Sequence, residues 1–492
     1  MTALGGVKDF SNRRLPAMTV KSRDVNSTLE LESRDQSSSG SRATLPRAIG
    51  TLGSTAIVVG TIIGSGIFLV PHDIAQHVSS ARTVFLVWIV GAALSLAGAL
   101  SLAELGAAMP EAGGIYIYLR EAYGKPFAFL YGWAMLLVIT SGSVATLAVA
   151  FGIYSATFVP LSPPQQKLVA ASVIAVLTFI NYVGVRKAAA VQTVFTAAKL
   201  AGLATIMGYA LFSSRAQSVT AAQSLPGAAT TVSSFGVALI SVLWAYEGWH
   251  MLSFNAGEVR NPARVLPRSY LWGTLVVVAV YLGANLAYLR VFPLALLADD
   301  RYQRVAARTM EVLAGPRGAT FVSALILCSI FGAINGNVLG GPRAYFAMAR
   351  DGVFFASVGR VHPRFKTPAN AILIQGAWSI VLAATGSFKQ LYTYVIFTGW
   401  IFYGTATLAV IVLRRKRPEL QRPYRVWGYP LLPVAFSLAA VAIVANTLMR
   451  SPKEALTGVG LVLAGVPIYF LWTRWAKAGQ TESAAAPRSI GS

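Results

Sequence analysis

The 492-residue chain is short of charge, short of acid and almost without sulfur chemistry. Only 12% of its residues are charged, about half of the roughly 25% usual in soluble domains, which argues against a cytosolic enzyme. Eighteen acidic residues stand against 41 Lys and Arg, a formal net charge of +23. A nucleic-acid binder with such an excess needs a solvated basic face, and 55% hydrophobic residues leave little surface for one; no nucleic-acid partner is expected. The single cysteine, Cys328, excludes an internal disulfide framework and a cysteine-based metal cluster. Four histidines without clustered acids do not make the constellation of a polytopic membrane enzyme. His72 and His77, five apart and without carboxylate support, do not read as a metal site, and no cofactor is expected.

What the chain has is apolar length. Runs of the roughly 20 residues needed to cross a bilayer occur at 50–70, 83–108, 127–158, 166–185, 191–212 and 234–257. Six more follow at 270–291, 319–347, 369–385, 391–413, 430–449 and 456–475. The fold class is therefore an all-α polytopic membrane protein with twelve spans. Residues 1–46 carry a Ser-rich stretch, mixed charge and no periodicity, which fits a disordered tail. No apolar stretch follows Met1, so no cleavable signal peptide is expected. Twelve spans put both tails on one side, and 29 of the 41 basic residues fall on that side against 11 opposite. The positive-inside rule then makes it the cytoplasm of a cell in whose plasma membrane the chain sits. The outer loop around Asp299–Arg308 is where the asymmetry weakens. The run Arg414-Arg415-Lys416-Arg417 reads as a topogenic cluster.

Two spans are interrupted at mid-depth. The first contains Gly60-Thr61-Ile62-Ile63-Gly64-Ser65-Gly66-Ile67-Phe68, and the sixth contains Trp244-Ala245-Tyr246-Glu247-Gly248-Trp249. Gly60-x-x-x-Gly64 alone would be read as close helix packing. Paired breaks five spans apart instead follow the inverted-repeat logic of secondary transporters, whose sites lie at the broken helices near the midplane. The outer half of the first helix begins near Gly66 and points N–H groups and a positive dipole end at the break, which suits a carboxylate. The outer half of the sixth ends near Tyr246 and offers carbonyls, which suit an ammonium. An α-amino acid carries both groups. Accordingly, 47–212 reads as a first five-helix repeat, 213–413 as its inverted partner and 414–475 as helices 11 and 12, between the tails 1–46 and 476–492.

These residues resemble the amino acid–polyamine–organocation transporters, in particular their L-type amino acid transporter branch. The likeness rests on the 60–68 and 245–249 motifs, Gly257-Glu258-Val259-Arg260-Asn261-Pro262 with Leu266-Pro267, and Val280-Tyr281 with Asn285-Leu286-Ala287-Tyr288. Further matches are Phe331-Gly332-Ala333-Ile334-Asn335-Gly336, Arg343, and Ala349-Arg350-Asp351-Gly352. It covers roughly residues 47–475 and implies the LeuT-type 5+5 inverted repeat with two extra C-terminal helices, working by alternating access. It further implies that Ile63, Gly64, Ser65, Gly66 and Ile67 cradle the substrate carboxylate. Tyr246, Glu247 and Gly248 would form the ammonium side and part of the side-chain pocket, with Trp244 as an aromatic lid and Tyr281 as support. Relatives that pair with a glycoprotein do so through a cysteine in the outer loop after span three; here 159–167 has none, so no disulfide-linked subunit is expected.

Two charges lie at mid-membrane, where an ionisable residue is a functional candidate by default. Lys199 is about ten residues from either end of span five. The resemblance places it where sodium-coupled relatives bind Na⁺, bridging first-helix carbonyls to the eighth helix, with Ser329 or Asn337 as partner. Glu247 would pair with the substrate ammonium or hold structure, favour a basic side chain, or else take up a proton. Glu104, Glu258 and Arg343 lie near helix ends at the cytoplasmic face and read as solvated anchors, with ionic gate pairs as the alternative, and the tryptophans as packing or interfacial residues. The reading is a sodium-independent exchanger of neutral L-amino acids in contact with lipid, the alternative a proton-coupled or cationic amino acid and polyamine permease.

Overall fold

The computed structural model describes residues 47, 49–111, 113–213 and 230–473, with the side chains of 185–194 excepted. The two tails, with Arg474, Lys477 and Arg488, lie outside the described residues, as do Arg215 and the side chains of Arg186 and Lys187. Every described element is helical, and one isolated bridge pairs Ile49 with Val259. In chain order the helices are α1 (Thr51–Ile62), α2 (Gly66–Ala75), α3 (Ala81–Ala108), α4 (Ile115–Tyr123) and α5 (Lys125–Ser155). Next come α6 (Pro163–Val183), α7 (Val185–Phe212), α8 (Val232–Ala245), a 3₁₀ segment (Trp249–Glu258) and α9 (Pro262–Val291). The rest are α10 (Val305–Gly340), α11 (Pro342–Arg350), α12 (Ala369–Thr385), α13 (Phe388–Lys416), α14 (Leu431–Arg450) and α15 (Pro452–Thr473).

Among the described residues, nine helical stretches are long and apolar enough to cross a bilayer. The pair α1 and α2, bent by 44° at its break, makes a tenth. The chain is thus a multi-pass, all-helical membrane protein. Two expected spans are shorter than twenty residues: α12 is an apolar helix of 17, and the sixth expected span is divided into the 14-residue α8 and the 3₁₀ segment. The loop around Asp299–Arg308 is partly helical: Asp300–Tyr302 forms a 3₁₀ turn and α10 starts at Val305, kinking at Gly315. There the Arg301 guanidinium bonds the Asp299 carboxylate and holds its pKa at about 2.

Local sequence explains several of the joints. Ser162 and Gln165 form a capping box with Pro163 at the first turn of α6. Ser80 accepts from the Thr83 N–H at the start of α3, and Thr231 from Ser234 at the start of α8. Within α5, residues Met135–Ile139 wind as a π-helix, and two of their carbonyls take donors from elsewhere. Tyr345 Oη donates to Met135 O at 3.2 Å and Trp378 Nε1 to Leu137 O at 2.7 Å. Interhelical amides add further links: Asn181 donates to Asn335 at 2.9 Å and Gln375 to the Asn337 carbonyl at 3.2 Å. Polar bonds of this kind do in a bilayer what apolar burial does in water.

Glu104 is not a solvated anchor. Only 1% of its side chain is exposed, and it accepts from Arg414 Nε at 2.8 Å, Arg414 Nη2 at 2.7 Å and the Val426 N–H at 2.7 Å. The Arg414 guanidinium in turn lies 3.7 Å over the Tyr429 ring. Arg417 pairs with Glu121 at 2.8 Å and Lys416 donates to the Ala122 carbonyl, so the 414–417 cluster holds structure as well as charge. Glu258 and Arg343, also expected as anchors, pair with each other at 2.9 Å, and Arg343 also bonds Asn255. Trp88 is fully buried packing. Removing one partner of a buried, hydrogen-bonded ion pair costs about 3–5 kcal/mol. Glu104→Ala is therefore expected to lower the thermal unfolding midpoint of the detergent-purified protein markedly, with Glu104→Gln intermediate.

Candidate functional site

The helix breaks follow from the residues at them. At the end of α1, Ile63 leaves the helical region (φ −71°, ψ 93°), and the backbone resumes as α2 only at Gly66. In the sixth segment α8 stops at Ala245, Tyr246 caps it, and Gly248 takes φ 111° before the 3₁₀ turn, a left-handed conformation open mainly to glycine. The breaks touch each other. A methyl group on Gly66 would come within 2.5 Å of the Ala245 Cα, and one on Gly248 within 2.6 Å of the Thr61 carbonyl oxygen. Both glycines are therefore needed for close approach, and Gly248 for its dihedral as well.

Side chains take up the backbone that the breaks release. Lys199, 1% exposed, donates from Nζ to Gly60 O at 2.8 Å and to Ile63 O at 2.6 Å. Tyr281 Oη lies 2.8 Å from Ala245 O and 3.2 Å from Ile62 O, one phenol shared between the two broken helices. Thr61 Oγ1 reaches Ile57 O at 2.8 Å and Gly248 O at 3.1 Å. The eighth-helix partners expected for Lys199 are not found there. Ser329 Oγ is buried without a hydrogen bond, and the Asn337 amide donates to Ala333 O.

At the breaks lies a cavity of about 20 Å³, lined by Gly64, Ser65, Gly66, Trp244, Glu247 and Gly248. That is room for about one water molecule, so the cavity is too small to hold an amino acid in this conformation. Ile63, Ile67, Tyr246 and Tyr281 do not line the cavity; they stand behind it, with Tyr246, Tyr281 and Trp88 packed ring to ring at 5.1–5.8 Å. The structure adds lining residues that sequence reasoning did not name for the pocket: Thr61, Ser143, Leu147, Met251, Ala333 and Asn337. The small polar run Thr140-Ser141-Gly142-Ser143 inside an apolar span was the available signal for the contribution of α5.

Glu247 is the one charged residue on the cavity wall. Its Oε1 accepts from Tyr403 Oη at 2.6 Å, while Oε2 is buried without a partner. Trp244 covers the other side, stacked on Tyr392 (centroids 6.1 Å apart, planes at 20°) and edge-on to Phe388. Tyr392 Oη donates to Asp73 Oδ2 at 2.9 Å. Beyond these rings is a second cavity of about 520 Å³ lined by Phe388, Asp73, His72, Lys167, Lys389 and Asp300 among others. Two aromatic layers thus separate the large cavity from the small one. His72, on α2, faces the Leu297 carbonyl from Nδ1 at 2.8 Å. Among the described residues no group of three or more His, Cys, Asp and Glu could hold a metal ion.

Residues 49–471 match the family model described as amino acid permease. The chain belongs to the amino acid permease family. Its relatives are of the L-type kind within the amino acid–polyamine–organocation superfamily. It is 32% identical over 431 residues to the serine/threonine exchanger SteT of Bacillus subtilis, covering 87% of this chain and 97% of that protein. It is 33% identical over 465 residues to the human b(0,+)-type amino acid transporter 1, covering 93% and 94%. With the human large neutral amino acids transporter small subunit 2 it shares 32% identity over 454 residues, covering 90% and 83%. The permease is a transporter of amino acids and not an enzyme.

The closeness of the two breaks yields a direct test. Gly66→Ala places a methyl against the backbone of Ala245, so the broken helices must part. Amino acid uptake into proteoliposomes is expected to fall at least about tenfold, the effect of roughly 1.4 kcal/mol. Because the close atom includes the Ala245 Cα, Ala245→Gly is expected not to restore it.

Proposed function

We propose that the permease is a sodium-independent exchanger of neutral L-amino acids in the plasma membrane, working by alternating access. In this reading the chain has twelve spans, both tails cytoplasmic, with a LeuT-type 5+5 arrangement of 47–212 and 213–413 followed by helices 11 and 12 in 414–475. The observation that carries it is the pair of touching breaks around a small cavity. The first N–H groups of α2 have no acceptor within their own helix, and a helix N-terminus favours an anion. The substrate carboxylate goes there, at Ser65, Gly66 and Ile67, with Ile63 and Gly64 shaping the turn. The ammonium goes to the Tyr246–Gly248 side, where Glu247 supplies a buried carboxylate oxygen with no donor. Trp244 is the lid, and Tyr281 holds the two breaks in register.

Lys199 supports the sodium-independent part. Its ammonium bonds two first-helix carbonyls, so a fixed cation does there what a bound metal ion would do for the same oxygens. Exchange is supported by the name of one relative, a serine/threonine exchanger, and neutral substrates by that of another, a transporter of large neutral amino acids. A disulfide-linked glycoprotein subunit is not part of the proposal, because the chain's one cysteine, Cys328, lies within α10. The expected result of a counterflow screen of all amino acids in proteoliposomes is uptake accelerated by unlabelled amino acid inside. Replacing sodium should leave it unchanged, and a requirement for a sodium gradient would sink the proposal.

A second reading, a proton-coupled or cationic amino acid permease, is favoured by the same unpartnered oxygen of Glu247. Glu247→Gln separates the two. If Glu247 pairs with the ammonium, the variant loses affinity and keeps the wild-type pH profile of transport. If it carries the coupled proton, the pH dependence of transport flattens in the variant.

A further inference from the structure

The Glu247 carboxylate is gripped on one side and empty on the other. Oε1 accepts from Tyr403 Oη at 2.6 Å, and His250 closes the same corner, with Nδ1 3.6 Å from Oε1 and Nε2 3.4 Å from the Tyr403 hydroxyl. The His250 and Tyr403 rings pack at 4.7 Å. Tyr403 is also set edge-on to Trp249 at 5.4 Å, and Trp249 to Phe436 at 5.9 Å, with Phe436 stacked on Trp400 at 5.0 Å. His250 and Tyr403 are both fully buried, and the Glu247 side chain is 8% exposed. Neither His250 nor Tyr403 lines the cavity; Glu247 does.

The carbonyls of the breaks are largely engaged. Ala245 accepts from Tyr281, whose hydroxyl also lies 3.2 Å from Ile62 O; Gly60 and Ile63 accept from Lys199; and Gly248 O shares the Thr61 hydroxyl with the nearer Ile57 O. The Trp244 carbonyl accepts the Glu247 N–H. Among the described residues two side-chain oxygens on the cavity wall have no hydrogen-bond partner, Glu247 Oε2 and Ser65 Oγ, and only the first belongs to a group that can carry the negative charge an ammonium seeks.

We infer that Tyr403 and His250 are positioning residues for substrate recognition: the Tyr403 hydroxyl holds the Glu247 carboxylate by Oε1 so that Oε2 meets the substrate's ammonium, and His250 backs that hydroxyl through Nε2 and ring packing. A carboxylate on three rotatable bonds is a precise partner only when its rotamer is locked by surrounding contacts, and here the lock comes from α13 and from the 3₁₀ turn. The inference rests on the cavity being the amino acid site proposed above.

Tyr403→Phe removes the hydroxyl and keeps the ring. The expected result in proteoliposome exchange is a KM raised about tenfold, the size of one lost hydrogen bond to a charged group, with a smaller change in Vmax. Glu247→Gln alone and Glu247→Gln with Tyr403→Phe should then have the same KM within about twofold, because the hydroxyl acts through the carboxylate. His250→Ala should raise KM as well, and His250→Gln, which keeps a polar nitrogen in the corner, should recover most of it. That pair carries the test if Tyr403→Phe does not elute as a single species. A wild-type KM in Tyr403→Phe, or effects of Tyr403→Phe and Glu247→Gln that multiply, overturns the positioning role. A wild type that exchanges no amino acid overturns the transport reading and this inference with it.

Discussion

Unpaired backbone inside an apolar bundle has to find partners, and the rest of the site depends on how it does so. Non-helical backbone at membrane depth is tolerated only where protein groups or a polar cavity satisfy it. Here three side chains do this from three directions: Lys199 from α7, Tyr281 from α9 and Thr61 from α1 itself. Their donors go to carbonyls. The N–H groups at the start of α2 have no intrahelical acceptor. The breaks are therefore asymmetric, largely filled on the acceptor side and open on the donor side.

The same economy governs charge. On the cavity wall Glu247 stands alone among charged residues, whereas three acids elsewhere have arginine partners: Glu104 with Arg414, Glu258 with Arg343, Asp351 with Arg120. Of these acids only Glu104 is fully buried, and a buried pair is costly to break singly. A lone buried carboxylate oxygen has the opposite character, since its cost is relieved only when something donates to it.

Much of the fold was legible because apolar length and glycine placement are local signals. The break at 60–68 reads directly from Gly60, Gly64 and Gly66, and that at 244–249 from Glu247-Gly248 inside an apolar run. Lys199 stood out because a charge in such a run has few explanations. What the sequence hid was distance. Nothing local joins Tyr403 to Glu247, 156 positions earlier, or Arg414 to Glu104 across 310. Ser143 and Leu147 looked like ordinary residues of a long helix until α5 brought them to the cavity. Glu104 was misjudged because proximity to a helix end predicts solvent, while Arg414 and the Val426 N–H arrive from remote segments to seal it.

The bridge between Ile49 and Val259 has one more consequence. The Ile49 N–H donates to Glu258 O at 3.0 Å and the Arg260 N–H to Ile49 O at 2.8 Å, sewing the strand of chain before α1 to the end of the 3₁₀ turn. Those two amides are sheltered only while the segments lie together. Their exchange with deuterium is thus a built-in clock for that end of the molecule, counting each separation of α1 from the sixth segment in the native protein without any label attached.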